Sequence, residues 1–159
     1  MRLWHSKLIP FLDGRRLCDL HMSCCNLRGN GWGKRNAAVG YLYEDEFGED
    51  ALYEYHLKVL EEMEWRGYEP AEDWFDPHYC GKKRPGRSID YSRLEEVSRR
   101  NIPLKGHTEE LFEKDFDTLQ DRGLNIDQLH TMKVGADGHT YSVHIITNGS
   151  IERKYIVVY

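Results

Sequence analysis

The sequence predicts an α+β protein: a mainly helical core domain over residues 1–126, then a C-terminal antiparallel β-hairpin or three-stranded meander over 127–159. Three observations carry this expectation. Apolar residues recur at helical spacing in separate stretches before residue 126. Two of those stretches end alike, in Arg66-Gly67-Tyr68 and Arg122-Gly123-Leu124, where glycine suits the left-handed residue that closes a helix. Past about residue 130 the period becomes two, and Asn148-Gly149 separates two alternating runs, a strong hairpin signal.

Taken in order, residues 1–12 are apolar with basic punctuation, and Asp13 offers an N-cap. Leu17, Leu20, Cys24 and Leu27 then predict a helix over about 15–27. The stretch from Arg28 to Arg35 holds three glycines among polar groups and Trp32, and reads as a tight loop whose backbone can approach a ligand. From Glu49 a second helix shows Leu52, Tyr53, His56, Val59, Leu60 and Met63 on one face, with acids on the other. Residues 68–87, aromatic and then basic, form a long loop of the kind that often carries function. Ser92-Arg93-Leu94-Glu95 has the capping-box pattern for a short helix to about Arg100. Thr108 can cap a further helix over about 109–122, with Leu111, Phe112, Asp115, Phe116 and Leu119 inward.

The chain has 159 residues, and its net charge of −5 by itself argues against a nucleic-acid binder. The sum conceals a segregation. Residues 1–43 carry +5, 44–77 carry −11, 78–105 carry +5 and 106–159 carry −4. Two basic blocks around an acidic one are compatible with a polyanion site on one face, and equally with charges that only solvate a surface. No apolar run reaches the length of a membrane span, and the N-terminus lacks a signal peptide's apolar stretch. The cysteines, Cys18, Cys24, Cys25 and Cys80, make a poor disulfide framework and point to a reducing, cytoplasmic setting.

Chemistry-bearing patterns are sparse. In Cys18-x-x-His21-x-x-Cys24-Cys25 the ligand types Cys18, His21 and Cys24 stand three apart on a helix, but a fourth ligand is not evident and no CxxC pair exists, so no metal or other cofactor is expected. No GxSxG or P-loop is present. Lys34 and Arg35 suit phosphate contact, and Trp32 suits stacking on a base or folding back over the core.

A resemblance adds to this reading. Met1-Arg2-Leu3-Trp4-His5, Leu8-Ile9-Pro10-x-Leu12, Leu17, His21, and Cys24-Cys25-x-Leu27-Arg28-Gly29-x-Gly31-Trp32-Gly33-Lys34 together resemble the pyrimidine-dimer DNA glycosylase family, whose founder is the phage endonuclease V. Trp74-Phe75-Asp76-Pro77-x-Tyr79-x-Gly81-Lys82 and the endings at Gly67 and Gly123 are also similar, so the likeness spans roughly residues 1–126. It implies base excision followed by strand cleavage on double-stranded DNA. A free N-terminal amine, here that of Met1, would attack deoxyribose C1′ and form an imine. A helix-borne glutamate would assist proton transfer, and basic residues would hold the kinked backbone. The unperturbed α-amine, with a pKa near ~8, is chemically suited to such attack.

Two departures stand at the centre of that pattern. Relatives commonly read His-Arg-Glu-Cys-Cys where this chain reads His21-Met22-Ser23-Cys24-Cys25. Ser23 occupies the glutamate position and cannot act as an anionic base. Asp19, one turn earlier on the same face, is the candidate substitute. Arg2 is bulky, so Met1 is expected to be retained. The catalytic candidates are therefore Met1, Asp19 and Ser23. The nucleic-acid-binding candidates are Arg2, Arg15, Arg16, Arg28, Trp32, Lys34 and Arg35. Whether lyase activity survives stays open at this point. A non-catalytic nucleic-acid-binding relative and a protein-interaction module are the alternatives, and the oligomeric state is undetermined.

Overall fold

A computed structural model describes residues 2–34, 36–124, 128–136, 139–148 and 153–158. The chain divides into two compact units, Met1–Thr108 and Glu109–Tyr159. The first contains α1 (Gly14–Arg28), α2 (Gly48–Trp65) and α3 (Tyr91–Ser98), with short 3-10 turns at Ser6–Phe11, Ala37–Tyr43 and Glu72–Phe75. The second contains α4 (Glu109–Asp121).

The expectation of one α+β fold requires correction. Through Leu124 the described residues are helix, 3-10 turn or loop, and no strand occurs among them, so the body carrying every candidate site residue is helical. The stretch expected to form the C-terminal hairpin or meander belongs to the second unit. The physical reason is the apolar pattern, which from Leu8 to Leu119 follows helical spacing with no alternating run to supply a sheet face. Backbone pairing is confined to the second unit. There, β1 (Gln128–Ala136) runs antiparallel to β2 (His139–Asn148), and β2 to β3 (Arg153–Val158). The Asn148-Gly149 turn lies partly outside the described residues.

In the first unit, Leu17, Leu20, Cys24 and Leu27 of α1 are buried, as are Leu52, Tyr55, His56, Val59 and Leu60 of α2. Fully burying one such apolar side chain contributes on the order of 1.5–3 kcal/mol. The 3-10 turn at Ser6–Phe11 adds Leu8, Ile9 and Phe11 to this core.

The N-terminal segment is fastened by residues distant in sequence. The Tyr55 hydroxyl donates to the Trp4 carbonyl at 2.5 Å. His5 Nε2 donates to the His107 carbonyl at 3.1 Å, and His107 Nδ1 accepts from the Ser6 amide at 3.2 Å. The Tyr41 hydroxyl completes the set, 2.9 Å from His107 Nε2. Because His107 accepts at Nδ1, its proton sits on Nε2 and the ring is neutral. Burial, and then the nearby His5, push its pKa down to about 3.

Both predicted glycine endings form. Gly67 has φ +88° and Gly123 φ +81°. Tyr68 N donates to Met63 O and Gly67 N to Glu64 O, while Leu124 N donates to Leu119 O and Gly123 N to Gln120 O. These are the paired bonds of a Schellman ending, which use carbonyls a helix terminus otherwise leaves orphaned. Two N-caps differ from expectation. Asp13 stands at the cap of α1 without a capping bond and instead pairs with Arg16 at 3.2 Å. α3 is capped by Asp90, whose carboxylate accepts from the amides of Ser92 and Arg93, and not by Ser92. An anionic acceptor at that position outcompetes a hydroxyl two residues inside the helix.

Candidate functional site

The charge segregation seen in sequence is largely undone in space. Arg84 pairs with Glu49 at 2.6 Å, Arg87 with Asp50 at 2.8 Å, and Arg100 with Asp45 at 2.7 Å. The second basic block thus neutralises the start of the acidic one. Its three lysines, Lys82, Lys83 and Lys105, are all exposed, the last 3.9 Å from Asp45. On the first basic block, Arg15 and Lys34 are exposed and Arg16 is half-buried. Cations of both basic blocks therefore reach solvent in this unit: Arg15 and Lys34 from the first, Lys82 and Lys83 from the second.

α1 positions the sequence candidates. Asp19 is exposed, and Ser23, one turn on, is half-buried on the same face. Met22, at the position where relatives carry arginine, is 64 % exposed. Arg2 is half-buried with its guanidinium over the Trp4 ring at 4.6 Å, and its Nη1 is buried with no hydrogen-bond partner among the described residues. Met1 and Arg35 lie outside the described residues. Asp19 and Ser23 thus share one face of α1, a turn apart.

The loop after α1 differs from the expected ligand cradle. Gly29 N donates to Cys25 O, Gly31 N to Asn26 O, Trp32 N to Gly29 O and Lys34 N to Gly31 O, at 2.8–3.2 Å. These four amides are spent on carbonyls of α1 and of the loop itself. Gly31 is needed for close packing: a Cβ there would meet Asn26 O at 2.6 Å. Trp32 is half-buried and packs against Tyr43 with ring centroids 4.9 Å apart. One edge borders a cleft of about 330 Å³ lined also by Tyr43, Phe47, Glu49, Arg87 and Asp90.

Arg28 does not belong to the exposed cation set. It is only 5 % exposed. Its Nη1 donates to Trp74 O at 2.7 Å and lies 2.9 Å from His56 Nδ1, while Nη2 donates to Asp76 O at 3.0 Å and Tyr79 O at 3.2 Å. Its guanidinium also sits against the rings of Tyr53 at 5.0 Å and Trp74 at 5.1 Å. This one side chain joins α1, α2 and the aromatic loop 74–79. The long-loop signal was legible in sequence, but the loop's carbonyls as an arginine socket were not.

Beyond Arg28 is a cluster that sequence spacing missed, because one member comes from α2. His21 Nδ1 lies 2.9 Å from His56 Nε2, and Cys25 Sγ lies 3.6 Å from His21 Nε2 and 3.8 Å from Nδ1. His21, Cys25 and His56 are a set of soft ligands close enough for a metal ion. The hydrogen bonding favours another arrangement. A metal-bound histidine normally donates its second ring N–H to a carbonyl or carboxylate. Here the second nitrogen of His56 faces an arginine, which can only donate. His56 Nδ1 must therefore accept, its proton lies on Nε2, and that proton points to His21 Nδ1. His21 in turn carries its own proton on Nε2. Burial, then Arg28, lower the pKa of both rings, His56 well below the ordinary histidine value. Burial pushes the Cys25 thiol up to about 11, so it stays protonated.

The family model described as pyrimidine dimer DNA glycosylase matches residues 1–76, a segment holding α1, its glycine-rich loop and all of α2. Over these residues the chain is similar to that family; the match ends at residue 76, short of the roughly 1–126 span of the motif resemblance. Searches of curated proteins and of solved structures gave no match. Among the described residues, no helix is long and apolar enough to cross a membrane.

Proposed function

We propose that this protein binds double-stranded DNA in base-excision repair and acts on it as a glycosylase/AP lyase. The observation that carries this reading is the family match over residues 1–76, because every candidate residue falls inside it. Arg15, Arg16, Lys34 and Arg35 hold phosphates, Arg2 supports the N-terminus, and Trp32 contacts the opened duplex beside the displaced base. Arg28 serves the same surface indirectly, by fixing α1 against the 74–79 loop. The Met1 amine bonds to deoxyribose C1′ as the base departs with a proton, leaving an imine that allows elimination of the 3′ phosphate. Ser23 lacks the charge to move that proton, and Asp19 is the carboxylate on the same helical face that supplies it.

Borohydride trapping on a duplex containing one abasic site tests this. Reduction of the imine is expected to give a covalent protein–DNA adduct whose peptide map places the DNA on Met1. Salt-dependent binding with no adduct would remove the lyase step and leave a DNA-binding protein. Absence of any salt-dependent affinity would remove DNA binding too.

A further inference from the structure

We propose that His21 contacts the bound nucleic acid, donating its Nε2–H as a neutral imidazole to an oxygen acceptor on the ligand. This rests on the DNA-binding reading and adds to it a residue that acts through a tautomer fixed inside the protein. The argument begins at Arg28. A guanidinium has five donors and no acceptor, so the His56 Nδ1 it faces at 2.9 Å must accept. The His56 proton is then on Nε2 and is donated across 2.9 Å to His21 Nδ1. His21, accepting at Nδ1, keeps its proton on Nε2. A chain of two hydrogen bonds thus turns a permanently charged side chain into a fixed orientation of a neutral one.

Placement makes that donor usable. His56 is fully buried, whereas His21 is half-buried, so the order in the chain runs from interior to surface. Among the described residues the hydrogen-bonding neighbour of His21 Nε2 is the Cys25 thiol at 3.6 Å. Sulfur is a weak acceptor, and here it lies almost equally near both ring nitrogens, alongside the ring and not in line with its N–H. A ligand oxygen would gain a better-aligned bond and displace little. The groups around the pair are Arg28, Cys24 and Cys25 from α1, His56 and Tyr53 from α2, and Trp74 from the loop. Arg28 opposes protonation, and both cysteines remain thiols because burial raises them.

Two measurements on the full chain test the proposal. The first is the nitrogen-15 spectrum of the histidine rings. Nε2–H tautomers are expected for both His21 and His56 at about pH 8, with His21 Nε2–H shifting on addition of abasic-site duplex. The second is duplex affinity. His21→Leu should bind about tenfold more weakly, while His21→Gln, which keeps an N–H donor, should stay within about threefold of the parent. An Nδ1–H tautomer or a charged ring at His21 overturns the proposal, as does His21→Leu affinity equal to the parent's. Stoichiometric zinc uptake with loss of the His21 Nε2–H signal overturns it in favour of a metal site. If the parent chain shows no duplex affinity, the DNA-binding reading fails and the contact with it, whereas the tautomer result still stands or falls alone.

Discussion

Arg28 Nη1 lies 2.9 Å from His56 Nδ1, joining the last turn of α1 to the middle of α2 across the core. The contact dictates a protonation state, because the arginine cannot accept and burial opposes a second positive charge beside it. It also ties the aromatic loop to both helices through the carbonyls of Trp74, Asp76 and Tyr79.

Arg28→Lys should therefore destabilise the first unit even though charge is kept. Lysine offers one compact ammonium where the socket presents four acceptors in a fork. Leaving buried carbonyls unpaired costs about 1–3 kcal/mol each, so a loss of about 3 kcal/mol is expected. Urea unfolding followed by tryptophan fluorescence measures it. A midpoint equal to the parent's would show that the socket is not what holds the loop.

Stability should fall as the solution is acidified below about pH 6.5. His107, with its folded pKa at about 3, and His56, held well below the ordinary value, are neutral when folded but bind protons when unfolded. Between their folded and unfolded pKa values the unfolded chain carries more protons, so stability rises with pH and is lost on going down through that window. Each such group contributes up to about 1.4 kcal/mol per pH unit. His107→Asn should flatten the slope of melting temperature against pH between 4 and 6.5, and an unchanged slope would count against His107 as a source.

Asp50→Asn should cost more than Glu49→Gln. The Arg87–Asp50 pair leaves side chains 14 % and 10 % exposed, against 25 % each for Arg84–Glu49. Arg87 Nη2 is already buried with no hydrogen-bond partner among the described residues, so removing Asp50 takes away its near carboxylate at 2.8 Å and leaves only Glu49 at 3.8 Å. The deeper break is expected to cost roughly 3 kcal/mol and the shallower about 1 kcal/mol. Chemical denaturation of both variants compares them directly.

Gly48→Ala should be far worse tolerated than Gly33→Ala. A Cβ on Gly48 would sit 2.1 Å from the Leu42 carbonyl oxygen, a backbone atom that cannot turn aside. Overpacking of that kind costs about 1–3 kcal/mol or more. Gly33, at φ +84° with nothing within 4 Å, faces only the local strain of a left-handed residue, about 1 kcal/mol. Equal melting temperatures for the two variants would contradict the close approach at Gly48.

Binding should weaken steeply with salt, and Arg15→Ala or Lys34→Ala should each lower the slope of log K against log salt by about 1. Arg84→Ala, whose charge is already paired with Glu49, should leave the slope nearly unchanged. Fluorescence anisotropy at several salt concentrations distinguishes free from paired cations, and a similar change for all three would mean the charge pairing does not sort them.

Helices were readable because their signals are local. The spacing of Leu17, Leu20, Cys24 and Leu27 predicted a helix over about 15–27, and α1 spans Gly14–Arg28. Gly67 and Gly123 announced both helix endings, since a left-handed residue is a local requirement. Ser92 misled as an N-cap because Asp90, two residues earlier, was the stronger acceptor. The site was less legible, for reasons of distance along the chain. Arg28 read as a surface cation because its partners, His56 and the carbonyls of 74–79, lie 28 to 51 residues away. His21 and Cys25 were weighed as ligands on one helix, and nothing in the spacing reveals that His56 completes the group. Charge blocks misled in the same way, since pairing between Arg87 and Asp50 is a property of the fold.

The partnership of the −11 segment with the +5 segment that follows it also acts on the chain before it folds. An unfolded chain with oppositely charged neighbouring blocks behaves as a polyampholyte and contracts, so residues 44–77 and 78–105 meet more often than in a uniform coil. That contraction shortens the search for the Glu49–Arg84 and Asp50–Arg87 contacts and lowers the entropy of the unfolded ensemble. It weakens as salt shortens the Debye length. Refolding should consequently slow with added sodium chloride even where the folded unit, its pairs half-buried, loses little stability.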